Sequence, residues 1–148
     1  MNCIEKIGNI AKIEAYSYDQ ISIPFSYINS LQLSQTAVSI SGQPEKVIFQ
    51  ENSASASCSD QDSASGKVYT NMLTWQTDEN DSEVYDQISR FISLPYHFIL
   101  TTFDGEKKLI FNWFKSGKTN QNQEIQEDAK IIRLNYSGKS LIPILTLI

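Results

Sequence analysis

The stretch LPYHFILTTFDGEKKLIFNWF, residues 94–114, decides how the rest of the chain is read. Asp104–Gly105 is a preferred dipeptide for a two-residue type I′ turn, whose central positions both need a positive φ. Runs rich in β-branched and aromatic residues flank it, so the stretch predicts a β-hairpin. Counting outward from a two-residue turn, Phe103 faces Glu106, Leu100 faces Leu109, Phe98 faces Phe111 and Tyr96 faces Trp113. One face is then wholly apolar: Tyr96, Phe98, Leu100, Leu109, Phe111 and Trp113. The other carries His97, Ile99, Thr101, Lys108, Ile110 and Asn112. A slip of one residue exchanges the faces of a strand, so this register is expected to be firm.

Upstream, NDSEVYDQISRFIS (80–93) spaces Val84, Ile88, Phe91 and Ile92 as one helical stripe, the natural cover for that apolar face. Asn80 and Asp81 suit the N-cap, Glu83 suits a capping box, and Pro95 ends the helix. The acidic run DENDSE lacks the glycine and spaced oxygens of a calcium loop, so it reads as capping. Before it, KVYTNMLTWQT (67–77) is a long strand. Tyr69, Asn71, Leu73 and Trp75 share one side; Val68, Thr70, Met72 and Thr74 share the other. Both sides are partly apolar, which predicts a central strand.

Nearer the N-terminus, IAKIEAYSY (10–18) alternates with Ala11, Ile13 and Ala15 on one face. ISIPF (21–25) contains Pro24, which restricts it to an edge or an irregular extended piece. TAVSIS (36–41) and KVIFQ (46–50), around Gly42–Gln43–Pro44, predict a short hairpin. KIIRLNYSG (130–138) is another strand, and Ser137–Gly138–Lys139–Ser140 is expected to turn into LIPILTLI (141–148).

Two stretches break this pattern, residues 51–66 and 115–128, and both are expected to be long polar loops within a single domain spanning 1–148. The first is a serine tract, ENSASASCSDQDSASG, without proline and with small side chains that cost little entropy to order. It suits a segment loose in the monomer and ordered against a neighbouring copy. LIPILTLI is apolar at six of eight positions, so it must lie in a sheet or dock in a groove of its own domain or another. These two segments supply the candidate interface residues: Ser53, Ser57, Cys58, Asp62, Leu141, Ile144 and Leu147. The fold class expected is α+β, mainly β: an antiparallel sandwich or partly open barrel with one helix packed on a sheet.

The chemistry is sparse. Twelve basic residues against 17 acidic ones, a net charge of −5, argue against a nucleic-acid backbone as the main partner. The tight basic pair Lys107–Lys108 reads as a solvated hairpin strand. Cys3 and Cys58 lie far apart and His97 is the sole histidine, which suits free thiols in a reducing compartment rather than a disulfide framework or a zinc site. Charges at Glu5, Lys6, Lys12 and Glu14 break any leader-type apolar run, and no stretch reaches the ~20 apolar residues of a membrane helix. The nucleophile-elbow, dinucleotide and P-loop patterns are absent. No catalytic, cofactor-binding or metal-binding residue is assigned, His97 is read as a partly buried structural residue, and no enzyme is expected. Trp75 and Trp113 both belong to apolar faces; as a stacking platform they define the alternative, a small ligand- or carbohydrate-binding β module.

The order of strand, long loop, KVYTNMLTW strand, acidic-capped helix, YHFILTTFDGEKKLI hairpin and closing YSGKSLIPIL strand resembles the small virion proteins of tailed bacteriophages and prophages, namely tail-tube-like, tail-completion and head–tail connector components. The resemblance covers residues 67–148 and transfers no functional residue. It implies a non-enzymatic structural role, homo-oligomeric rings, and contacts with other virion proteins by strand addition or loop exchange. It also implies residence in the host cytoplasm during assembly and then in the virion, with DNA at most passing through a lumen.

Overall fold

The computed structural model describes residues 6–23, 32–64, 66–78, 82–115, 117–126 and 129–148. The strands are β1 (Lys6–Ile7), β2 (Ile10–Ser17), β3 (Ile21–Ser22), β4 (Gln32–Leu33), β5 (Ser39–Ile40), β6 (Glu45–Lys46), β7 (Ser55–Ser63), β8 (Gly66–Asp78), β9 (Tyr96–Thr102), β10 (Lys107–Ile110), β11 (Lys118–Gln126), β12 (Ala129–Ser140) and β13 (Leu145–Leu147). The helix α1 spans Ser82–Ser93. A five-stranded sheet runs β1-β7-β8-β12-β11, a six-stranded sheet runs β4-β13-β10-β9-β2-β6, and β3 pairs with β5. Among the described residues all pairings are antiparallel except β13 with β4. The two large sheets pack as a sandwich and do not close into a barrel.

The main core lies between the sheets. Ala56, Leu73, Trp75, Leu134 and Tyr136 come from the five-stranded sheet, and Ile13, Phe98, Leu100, Ile110 and Ile144 from the other side. Phe91 of α1 meets Trp75 edge-on at 5.9 Å and Tyr96 at 5.0 Å, which wedges the helix into this core. A second cluster covers the opposite face of the six-stranded sheet: Tyr16, Ile99, Leu109, Leu145 and Leu147 pack under Ile21 and Val38 of the β3/β5 region. That sheet is therefore buried on both faces.

Double burial explains the first correction. Thr102 N–H donates to Glu106 O at 2.9 Å, Gly105 N–H donates to Thr102 O at 3.0 Å, and Gly105 has φ +90°. The loop thus holds three residues, a tight turn with glycine at the left-handed bulge position, and a short Thr102 Oγ1 to Asp104 Oδ1 bond fastens it. The register is Leu109 opposite Ile99 and Ile110 opposite Phe98, one residue away from the expected pairing. Ile110 joins Phe98 and Leu100 in the main core, while Leu109 and Phe111 join His97 and Ile99 on the other face. Apolar residues are welcome on either side, so the turn and not the hydrophobic pattern selects the register.

Both expected polar loops contain strands. The tract at 51–66 forms β7, paired with β8 from Ser55–Thr74 to Ser63–Gly66. Its small residues alternate: Ala54, Ala56 and Cys58 point inward and are buried, while Ser53, Ser55 and Ser57 point outward. The stretch 115–128 contains β11, paired with β12 over nine positions. β12 runs straight through the expected turn at 137–140, pairing with β8 as far as Ser140–Tyr69. Gly138 sits there because a Cβ would lie 2.5 Å from the Tyr136 Oη and 3.3 Å from the Gly117 Cα. It permits close approach within a strand.

Smaller differences follow the same logic. A bulge between Ile10 and Lys12 turns Ile10 inward and Ala11 outward. β5 and β6 do not form the expected hairpin: β5 pairs with β3, and β6 with β2. On α1 the buried stripe is Val84, Gln87, Ile88 and Phe91, and Ile92 is 42% exposed. Gln87 goes inward because it satisfies irregular backbone, donating to Lys46 O at 2.5 Å and accepting from Ile48 N–H at 3.1 Å. The expected caps Asn80 and Asp81 lie outside the described residues, as do Cys3, Pro24 and Phe25. Lys108 is not solvated: it is buried, with Nζ 2.8 Å from Thr146 Oγ1 and 3.2 Å from Glu106 Oε2. β8 is central, as its two half-apolar faces predict.

Candidate functional site

The seven candidate interface residues do not gather. Cys58, Ile144 and Leu147 are buried in the two cores and cannot present themselves to a partner. Ser53 is half-buried; its hydroxyl donates to Gln50 O at 2.6 Å and accepts from Gln76 N–H at 3.2 Å, closing the entry to β7. Ser57 is half-buried on the outward face opposite Met72, and Asp62 is exposed opposite Lys67 near the hairpin tip. Leu141 is half-buried just beyond β12.

The shifted hairpin register assembles a different feature. The His97 imidazole is fully buried and lies between the rings of Tyr18, at 5.1 Å, and Phe111, at 4.4 Å, stacked on both. Its Nδ1 accepts the Asn112 N–H at 2.9 Å, so Nε2 carries the proton and donates to Tyr18 O at 2.9 Å. Burial lowers its pKa to about 4, against a weaker opposing pull from the Tyr18 carbonyl and Asp19. A neutral ring with both nitrogens committed to backbone has no lone pair or proton to offer a substrate.

Beside it, Tyr18, Asp19, Ser22, Phe111 and Trp113 line an open cleft of about 430 Å3. Lys115 Nζ stands 5.1 Å over the Tyr18 ring. Three aromatic side chains, a carboxylate and a serine hydroxyl can bind an apolar or hydroxylated molecule. Trp75 takes no part, being 1% exposed in the main core. Among the described residues no three His, Cys, Asp or Glu side chains gather as a metal site.

The second feature is the free margin of the five-stranded sheet. β11 is its last strand and, among the described residues, forms its ladder with β12 only. Asn120, Gln121, Asn122 and Gln123 are all exposed; α1 packs alongside β11, and among the described residues no strand pairs with its outer edge. Sheet edges are ordinarily guarded by charge, proline or a bulge. From Thr119 to Gln123 there is neither charge nor proline. The outward face of the same sheet is also mainly neutral and polar, with rows such as Ser55–Thr74–Asn135–Asn120 crossing four strands. The sequence signal for this edge was the run of Asn and Gln itself. It reads as loop because β11 buries one threonine, Thr119, and no apolar side chain among those described.

Among the described residues no helix is long and apolar enough to cross a membrane. No protein-family model matches this chain, and no curated protein or solved structure matches it.

Proposed function

We propose that this protein is a non-enzymatic structural component that acts as a homo-oligomer, of the kind that builds the tail or head–tail connector of a phage virion. The observation that carries the reading is the unguarded edge of β11, a ready template for strand addition. The route differs from the one the sequence predicts. The serine tract and the 145–147 strand are spent inside their own sheets, so loop exchange and the final strand lose their role in assembly. The commitment of His97 to backbone supports a role without catalysis. A net charge of −5 suits contact with other proteins, and with DNA only in passing. Production in the host cytoplasm before incorporation into the virion completes the reading. Light scattering across a wide concentration range tests it. Reversible growth to a defined oligomer is expected, and a monomer at the highest concentration would sink the reading.

A second reading is favoured by one feature, the aromatic cleft at Trp113: a small ligand- or carbohydrate-binding β module. Titration with oligosaccharides, followed by tryptophan fluorescence, should then give a saturable change that Trp113→Ala abolishes. A flat titration removes this reading.

A further inference from the structure

We infer that the open edge of β11 pairs with the same edge of a second copy, antiparallel, about a two-fold axis at Gln121; this rests on the homo-oligomeric reading above. The strand begins Lys118-Thr119-Asn120-Gln121-Asn122-Gln123-Glu124. Laid antiparallel against itself with Gln121 opposite Gln121, it sets Asn120 opposite Asn122, Thr119 opposite Gln123 and Lys118 opposite Glu124. Symmetry supplies the last pairing twice. Directly opposed residues of antiparallel strands share a face, so the lysine and glutamate positions meet on one side of the sheet.

The same sequence rejects its neighbours. Outward-pointing N–H and C=O groups alternate along an edge, so two equivalent edges pair only in registers that differ by two residues in opposition. With Asn120 opposite itself... Lys118 meets Asn122; with Asn122 opposite itself, it meets Gln126. Both alternatives lose the two opposite-charge pairings. An in-register parallel arrangement sets lysine beside lysine and glutamate beside glutamate, which is unfavourable. Four of the five side chains between the charges, Asn120 to Gln123, are exposed, amide-bearing and neutral, so none carries a charge into the contact. The contact joins two five-stranded sheets into one continuous sheet. A two-fold contact closes on itself, so the dimer is the unit from which a larger ring is built through another surface.

Sedimentation equilibrium on the full chain tests this. Gln121→Lys sets two like charges together at the axis and should weaken the dimer roughly fivefold. Lys118→Glu opposes like charges twice and should weaken it roughly tenfold, while adding Glu124→Lys should restore it. Lys118 and Gln121 are exposed, so unchanged circular dichroism and thermal melts serve as the folding control. Gln121→Cys in a Cys3→Ser background should give a disulfide-linked dimer on mild oxidation. Self-association unchanged in every variant overturns the inference and leaves the homo-oligomeric reading standing through another surface. Weakening by Lys118→Glu without rescue by the charge exchange overturns the two-fold register and leaves β11 in a self-contact of another geometry. A wild-type monomer at all concentrations overturns both.

Discussion

At the scale of single residues, His97 acts as a structural linchpin whose chemistry is spent. It ties β9 to the backbone at Tyr18 and at Asn112, and Asn112 Oδ1 in turn accepts the Gly117 N–H at 3.3 Å ahead of β11. Its pKa lies at about 4 in the folded chain, below the ordinary imidazole value near 6.5. The unfolded chain therefore binds a proton between those values that the native chain refuses, so stability is full above pH ~6.5 and falls as the pH drops toward 4, by about 3 kcal/mol in all. Urea denaturation at pH 7.5 and pH 4.5 should show that loss, and His97→Phe should lose this contribution to it. At pH 7.5 the same variant should already be destabilised by about 2–5 kcal/mol, because two buried backbone groups lose their partner. Asn71 shows a related economy, a polar side chain within the apolar face of β8 whose Nδ2 donates to Ile142 O at 3.2 Å. Gly138→Ala drives a methyl into the Tyr136 hydroxyl and should cost about 1–3 kcal/mol, read as a lower denaturation midpoint.

At the scale of elements, β7 and β11 are the informative cases. A tract of serine and alanine has little apolar weight, yet Ser53-Ala54-Ser55-Ala56-Ser57-Cys58 alternates with a period of two. Small inward residues suit this strand, since it lies against β8, whose Tyr69, Leu73 and Trp75 already fill the core. Deleting residues 53–65 should therefore unfold the protein, seen as loss of the cooperative thermal transition. Removing only Gln61, Asp62, Lys67 and Val68, two opposed pairs near the tip, should leave that transition in place. A folded protein after the larger deletion would mean that β7 contributes little to the core. The central hairpin teaches the complementary point. Its two strands were legible from composition, while its register turned on Thr102, Asp104 and Gly105, which build a three-residue loop where a two-residue loop is also sterically open.

At the scale of the whole molecule, the sandwich is closed from both directions along the chain. β13 pairs with β10 from Leu147–Lys107 to Leu145–Leu109, and β4 lies parallel on its other side. Truncation after Pro143 removes Ile144, Leu145 and Leu147, all buried. At roughly 1.5–3 kcal/mol for each buried side chain, the loss is about 5–9 kcal/mol, comparable to the whole stability of a typical domain. Far-UV circular dichroism should show an unfolded chain; a native melt would mean that β13 is dispensable. The mainly β class, the central position of β8, the amphipathic helix α1 and the burial of the last apolar segment all follow from the sequence alone, because periodic apolar side chains must leave water wherever the chain places them. Tertiary structure alone decided the rest: which face of β10 joins which core, that serine and glutamine tracts become strands, and that β11 is left as an edge. Those outcomes depend on what lies across the ladder. A strand that buries little is held by its neighbour's hydrogen bonds, and a sheet covered on both sides imposes no preference of its own between registers.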